Sequence, residues 1–357
     1  MNFDPVRSKH PPRRTATTRS IFPAVLLALF LATTSGYSFT ALYAFGDSLS
    51  DTGRNPAPGS SYYNGRYSNG PLWVEYLSAQ LGLAYNSSNN FAVSGSTTSD
   101  LASQIAGLTP STNLRTALFT VWSGGNDFLD NLGIGVDDPG WSNVIVTAVL
   151  NLTNAVGALY TNGAREVMVP NLPNLGQTPA AASFPAGYAS YIDTKVALFN
   201  TQLASALTNL SQRDPGLRIY PLDANSELSR VLSAPATYGF TVTTNDALDD
   251  PNLTDKSFNG PGADYVFWDQ IHPTTRMHGL IAALALESVG VQLAILRNRT
   301  NLNLTVFNLS PGLPYTIQSS TNLSLWSDNQ TFTAAGTNAT VVLTNGPITK
   351  MYYRVRY

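Results

Sequence analysis

The sequence predicts an α/β fold, a parallel sheet covered by helices on both faces, followed by a small antiparallel β module. Three observations carry this. Between about residues 40 and 289, short apolar runs alternate with longer segments of helical period, as expected for parallel strands joined by crossover helices. Several of the short runs stop abruptly in turns of Gly, Ser, Asn and Asp. Beyond about Leu296, stretches of period two separated by Pro-Gly, Asn or Gly turns take over.

In chain order, Lys9, Arg13, Arg14 and Arg19 precede an apolar run at 21–32 and then small residues. This is expected to be an export signal over residues 1–38, cut between Thr34 and Ser38, because the run is short of the roughly 20 apolar residues that span a bilayer. The first strand, 40–45, runs into Gly46-Asp47-Ser48-Leu49. Residues 54–70 are rich in Gly, Pro, Ser, Asn and Tyr and read as a long loop. A helix follows from Pro71, with Leu72, Tyr76 and Leu77 expected inward. Residues 91–93 are a short apolar stretch ending in Ser94-Gly95-Ser96, and 100–108 has a helical period. The clearest buried strand is 117–122, ending in Ser123-Gly124-Gly125-Asn126-Asp127. A helix at 141–160 is closed by Asn162-Gly163. The strand 166–169 follows, then a helix at 188–210 with Val196, Phe199, Leu203 and Leu207 on one stripe, then the strand 217–220. A polar loop at 246–264 lacks the ordered spacing of a calcium loop and is expected to be solvated. Residues 265–268 lead into Asp269-Gln270-Ile271-His272-Pro273, and a last helix covers 274–289. The predicted units are the signal at 1–38, the α/β domain at 39–296 and a small sandwich-like module at 297–357.

Composition excludes several classes. Charged residues are 12% of the 357-residue chain and the net charge is -2, so no basic surface is available for nucleic acid. With no cysteine, disulfides, thiolate nucleophiles and cysteine-ligated metals are out. Of three histidines, His10 falls in the expected signal, leaving His272 and His278.

The polar residues at the strand ends suit one chemistry. Ser48 lies where a buried strand of an open α/β sheet ends, which is where such sheets bind ligands. A serine in a Gly/Asp-rich turn is most often only a turn former or helix cap, so the turn alone is weak evidence. A serine hydroxyl becomes a nucleophile when an imidazole takes its proton, and the imidazole needs a carboxylate behind it. Asp269 and His272 offer such a pair in a segment broken by Pro273. His278 lies within the last helix with no acidic residue three before it, so His272 is the expected base; it could otherwise cap the helix that follows. The backbone N–H groups of Ser48 and Gly95 and the amide of Asn126 are candidate donors to an oxyanion, although Gly95 and Asn126 are each ordinary turn residues as well.

Taken together, these residues resemble the GDSL, or SGNH, family of serine esterases and lipases. Gly46-Asp47-Ser48-Leu49-Ser50-Asp51-Thr52-Gly53 looks like its first block, Asn90-Phe91-Ala92-Val93-Ser94-Gly95-Ser96 its second, Gly124-Gly125-Asn126-Asp127 its third, and Phe267-Trp268-Asp269-Gln270-Ile271-His272-Pro273-Thr274 its last. The four blocks come in the right order and span nearly all of residues 41–290. The resemblance implies a three-layer α/β/α fold, a nucleophile at Ser48, an Asp269–His272 pair, and oxyanion donors at Ser48, Gly95 and Asn126. The flanks look most like the branch of plant lipases and bacterial phospholipase- and acyltransferase-like enzymes, with Arg54 standing where that branch often has asparagine. The C-terminal stretch is similar to β modules ending many exported bacterial proteins.

The expectation is therefore a secreted, periplasmic or cell-surface serine esterase or lipase, a monomer, acting on a small-molecule, lipid or sugar ester. It would need no metal or organic cofactor and would bind no nucleic acid, with glycan or surface contact through the C-terminal module. The absence of a Gly-x-Ser-x-Gly elbow around Ser48 argues against an ordinary α/β-hydrolase. Two rivals stand beside it: an acyltransferase using the same residues, and a catalytically weak glycan- or surface-binding protein.

Overall fold

The computed structural model describes residues 39–357 apart from positions 110–111, 134, 291, 299–300, 308, 310–313, 322–324, 337, 344–350 and 357. The expected export signal lies outside the described residues. The central sheet is parallel, with β1 (Leu42–Gly46), β2 (Leu118–Trp122), β3 (Glu166–Pro170) and β4 (Arg218–Leu222) adjacent in that order. Residues 90–93 extend it past β1: Phe91 N–H donates to the Ala44 carbonyl at 2.7 Å and Val93 N–H to that of Gly46 at 3.0 Å. The chain thus leaves β1 toward one side and returns to β2 on the other. Such a reversal opens a crevice at the carboxyl ends of the strands.

Each strand is apolar on both faces, as burial between two helical layers requires. Phe45, Phe119, Val121, Val167 and Val169 face α2 (Leu101–Ala106), α4 (Asp138–Thr161) and α5 (Tyr188–Arg213). Leu42, Ala44, Leu118, Trp122, Met168 and Leu222 face α1 (Trp73–Gln80), α6 (Ala224–Ser233) and α7 (Thr275–Val289). The architecture is the three-layer α/β/α sandwich expected. On α5 the predicted stripe of Val196, Phe199, Leu203 and Leu207 is buried, with Ile192 and Leu210 extending it; each such side chain is worth roughly 1.5–3 kcal/mol over its exposed state. Asp137 caps α4 by accepting from Gly140 N–H at 2.8 Å, and Gly163, at φ 108°, follows its last turn.

The structure departs from the sequence reading at several points. The first helix starts at Trp73 because the Glu75 carboxylate takes the Leu72 N–H at 2.8 Å, making Leu72 its cap. Its inward face is Trp73, Val74 and Leu77, while Tyr76 is half-buried and its hydroxyl meets that of Thr275 at 2.8 Å. A short helix, α3 (Gly125–Leu129), stands where a turn was expected. Helix α6 was not anticipated, nor was β5 (Val242–Asp246). The latter pairs in parallel with β6 (Tyr265–Phe267) in a sheet of its own.

The C-terminal module begins at β7 (Gln292–Asn298), so the boundary expected at 296/297 falls inside a strand. β7 and β11 (Ala339–Leu343) flank β8 (Asn301–Phe307), while β10 (Ser327–Thr333) and β12 (Tyr352–Arg356) flank β9 (Pro314–Ser320). Both sheets are antiparallel and share a core of Leu304, Val306, Tyr315, Ile317 and Val341. The Arg218 guanidinium on β4 donates to the Leu309 carbonyl of this module.

The Ser48 turn begins with a crowded glycine. Gly46 has φ 137°, and a Cβ there would stand 1.8 Å from the Trp122 carbonyl oxygen on β2. Gly46→Ala is therefore expected to lower unfolding free energy by more than about 3 kcal/mol, read as a fall in the urea midpoint. A midpoint equal to wild type would mean β1 and β2 can separate at that point without cost.

Candidate active site

Ser48 sits in the turn leaving β1, and this turn is held from several sides. The Gln104 side chain of α2 pairs with both backbone groups of Gly46, accepting its N–H at 2.9 Å and donating to its carbonyl at 2.8 Å. Trp73 Nε1 donates to Ser50 Oγ at 3.1 Å. Asn90 donates to the Ser50 carbonyl at 2.6 Å, and the Asp47 carboxylate accepts Leu49 N–H at 3.0 Å.

Asp51 is the tightest knot. Its buried carboxylate accepts the N–H groups of Gly53 (2.8 Å), Arg54 (2.7 Å), Asn55 (2.9 Å) and Ser94 (2.7 Å), and the Ser94 hydroxyl (2.9 Å). One side chain thereby joins the Ser48 turn to the turn carrying Gly95. Arg54 adds a second tie: its Nε donates to the Asn90 carbonyl and its guanidinium lies 4.9 Å from the Phe91 ring centre.

The structure brings Ser48, Asp269 and His272 into one line. Ser48 Oγ lies 2.8 Å from His272 Nε2, and His272 Nδ1 lies 2.9 and 2.8 Å from the two Asp269 oxygens. The backbone N–H groups of Ile271 and His272 also donate to Asp269 Oδ1, at 3.0 and 2.8 Å, so the segment folds back on its own carboxylate. Burial pushes the Asp269 pKa up, but the hydrogen bond and charge of His272 and those two N–H groups outweigh it and hold it below the usual carboxylate value. An ionised carboxylate only accepts, so Nδ1 carries the ring proton and Nε2 presents its lone pair to the hydroxyl. This arrangement is able to take a proton from Ser48. His278 does not share in it: it is buried in α7, neither ring nitrogen has a hydrogen-bond partner among the described residues, and burial, then the nearby His272, push its pKa down to about 3.

The candidate oxyanion donors are placed unequally. Asn126, on α3, lines the same cavity as Ser48 and His272, and one N–H of its amide donates to the Ser96 carbonyl at 2.8 Å. Gly95 is exposed, next to that Ser96, with φ 86°. A Cβ on Gly95 would meet no protein atom within 4 Å, so its left-handed backbone, not crowding by protein, is what calls for glycine here.

Behind Ser48 the cavity is apolar. Leu172 and Pro173 follow β3, Ala224 and Leu228 come from α6, and Met277 and Ile281 from α7. The sequence reading missed the α6 residues. Their signal was Asp223, which accepts Ser226 N–H at 3.0 Å as a helix cap, followed by Leu228 and Val231 at helical spacing. It also missed Tyr62, whose hydroxyl donates to Asp269 Oδ2 at 3.0 Å.

The profile of the GDSL-like Lipase/Acylhydrolase family matches residues 42–285. The chain belongs to that family. By membership it is a carboxylic ester hydrolase of the esterase and lipase type, within a family whose relatives include acyltransferases. It is 26% identical to a phosphatidylcholine-sterol acyltransferase of Aeromonas hydrophila, over 70% of this chain and 91% of that one. It is 25% identical to a GDSL esterase/lipase of Arabidopsis thaliana, over 71% of this chain and 90% of that one. Among solved structures, a variant of an acetyl-xylooligosaccharide esterase from Geobacillus aligns over 72% of this chain and 97% of its own, at 14% identity and a TM-score of 0.44.

Asp47, beside Ser48, is fully buried, and burial raises its pKa from 3.8 to about 7 against the opposing Leu49 N–H and His272. The folded protein holds this proton more tightly than the unfolded chain does. The stability it contributes is complete below pH 3.8 and is lost as pH rises through about 7. Asp47→Asn is expected to raise the melting temperature over wild type more at pH 8 than at pH 5. An equal difference at both pH values would place the titration outside this window.

Proposed function

We propose that the protein is an exported serine esterase that cleaves esters of apolar acyl chains through an acyl-enzyme on Ser48. The observation that carries this is the 2.8 Å contact between Ser48 Oγ and His272 Nε2 at the mouth of an apolar cavity. Ser48 Oγ attacks the ester carbonyl while His272 Nε2 takes its proton. The oxyanion of the tetrahedral intermediate is met by the Ser48 and Gly95 N–H groups and by the second N–H of the Asn126 amide, each such donor being worth about 2.7–4 kcal/mol. His272 returns the proton to the leaving alcohol, and water then attacks the acyl-Ser48 with His272 again as base. Asp269 keeps the ring in the reactive tautomer and stabilises the imidazolium. No step calls on a metal or organic cofactor.

The acyl chain lies between α6 and α7, against Leu228, Met277 and Ile281. Those side chains favour a lipid-like acyl group over acetate, and the acyltransferase of Aeromonas, named for a phospholipid and a sterol, supports a lipid ester in particular. All the groups named come from one chain, so a monomer suffices. The basic and apolar start of the sequence supports export, and the separate core of the C-terminal module supports an accessory role at a glycan or cell surface.

Hydrolysis of p-nitrophenyl esters from C2 to C16 tests the reading. Ser48→Ala is expected to lose at least about a thousandfold in kcat. Wild type is expected to prefer chains longer than acetyl, and Leu228→Trp to shorten the optimum. Activity surviving in Ser48→Ala, or an acetyl optimum unmoved by Leu228→Trp, would overturn the nucleophile and the pocket respectively. Adding an alcohol acceptor and analysing products separates hydrolysis from acyl transfer. The amino terminus of protein recovered from outside the producing cell is expected between residues 34 and 38; recovery only inside the cell, uncut, would refute export.

A further inference from the structure

The loop at 54–70 packs along the segment that carries Asp269 and His272. Ser68 Oγ donates to the Pro273 carbonyl at 3.0 Å, and Asn69 Oδ1 accepts Thr275 N–H at 2.9 Å. Gly70 lies so close that a Cβ would stand 2.6 Å from Thr275 Oγ1. The loop is itself fixed, by an Arg66–Glu75 ion pair of 2.8 Å to α1. Two tyrosines project from it onto the acid–base pair. Tyr62 donates to Asp269 Oδ2 at 3.0 Å, and the Tyr67 ring lies 4.8 Å from the His272 ring, tilted by 38°. The two tyrosines touch each other at 5.4 Å, and Tyr62 meets Trp268 edge-on at 6.2 Å.

We propose that Tyr62 and Tyr67 are positioning residues for the reaction, the first holding the Asp269 carboxylate and the second the face of the His272 ring. This rests on the Ser48 acyl-enzyme reading above. The physical case is one of counting constraints. Asp269 and His272 belong to one short loop, and a carboxylate bridged only to its own loop can swing with it. Tyr62 ties the carboxylate to a different part of the chain, and its hydroxyl spreads the negative charge over one more donor. Tyr67 blocks rotation of the imidazole away from Ser48, and its π-face favours the ring most when it is a cation, the state formed after proton transfer. Neither residue touches the acyl cavity, so substrate binding is left alone.

The other titratable groups facing the pair are Asp47 from the turn after β1, His278 from α7 and Asp246 at the end of β5, while Asp249, in the loop after β5, faces Tyr62. None of them hydrogen-bonds to the Asp269 carboxylate among the described residues, so Tyr62 is the side chain outside the pair that grips it.

The test compares kcat, KM and the pH–rate profile of the full chain on one p-nitrophenyl ester, with Ser48→Ala in parallel. Tyr62→Phe is expected to lower kcat about three- to tenfold with KM within about twofold, the effect of one lost hydrogen bond. Its acid limb is expected to move to higher pH, because Asp269 then gives more of its charge to the imidazolium. Tyr67→Leu is expected to lower kcat by at least a similar factor, and Tyr67→Phe, which keeps the ring, to recover most of that loss. Tyr62→Phe with wild-type kcat and profile, or Tyr67→Phe no better than Tyr67→Leu, would overturn the proposal while Ser48→Ala remains inactive. An active Ser48→Ala would instead sink the reading beneath it. A loss from misfolding is told apart by its profile, which would shrink in height without shifting along the pH axis.

Discussion

The buried carboxylate of Asp51 is the constraint on which the site depends. A carboxylate removed from water needs its lone pairs filled, and here the donors are backbone groups of two loops together with the Ser94 hydroxyl. By collecting the N–H groups of Gly53, Arg54, Asn55 and Ser94, it converts a solvation demand into a fixed separation between the Ser48 and Gly95 turns. Gln104 adds a side-chain partner to each backbone group of Gly46, where β1 runs out between β2 and the segment carrying Val93. Buried polar groups that are fully satisfied in this way specify one geometry, because any other arrangement leaves several of them unpaired at once.

The layers divide the labour. The helices α2, α4 and α5 on one face contribute mostly packing, and their apolar stripes supply the rigidity that a site needs behind it. On the other face, α6 and α7 do not close fully over the carboxyl end of the sheet, and the gap between them is lined by side chains that would otherwise have belonged to the core. Leu228, Met277 and Ile281 therefore serve two ends, contributing burial to the fold and a wall to the cavity. Asp269 and His272 stand at the N-terminal side of α7, so the same helix that borders the cavity also carries the chain onward from His272.

Much of this was legible in the sequence, and what was legible was local. The Ser48 turn, the strands β1 to β4 and the long helices α4 and α5 announce themselves through short-range pattern, and Asp269 and His272 lie three residues apart. What escaped depends on distance or on mixed composition. The contact of Tyr62 with Asp269 spans 207 residues, and no periodicity encodes it. Helix α6 was obscured because Asn225, Ser226, Glu227, Ser229 and Arg230 outnumber its apolar residues. The reason for a glycine at position 95, its left-handed backbone, is likewise a feature of the folded turn that residue type alone does not announce. The first turn of α1 was misplaced because the Glu75 side chain, not Pro71, settles where the helix begins.

The Asp269–His272 contact and the Ser48–His272 contact are assembled on very different scales. Asp269 and His272 are joined within one turn, by contacts that need only a few residues to be in place. The contact from His272 to Ser48 crosses 224 residues and closes only when the two ends of the α/β domain have come together. Contacts of such separation carry the loop-closure cost of all the chain between them before they can form. The line of Ser48, His272 and Asp269 therefore exists only in the completed α/β domain, where the first strand and the segment before the last helix have met.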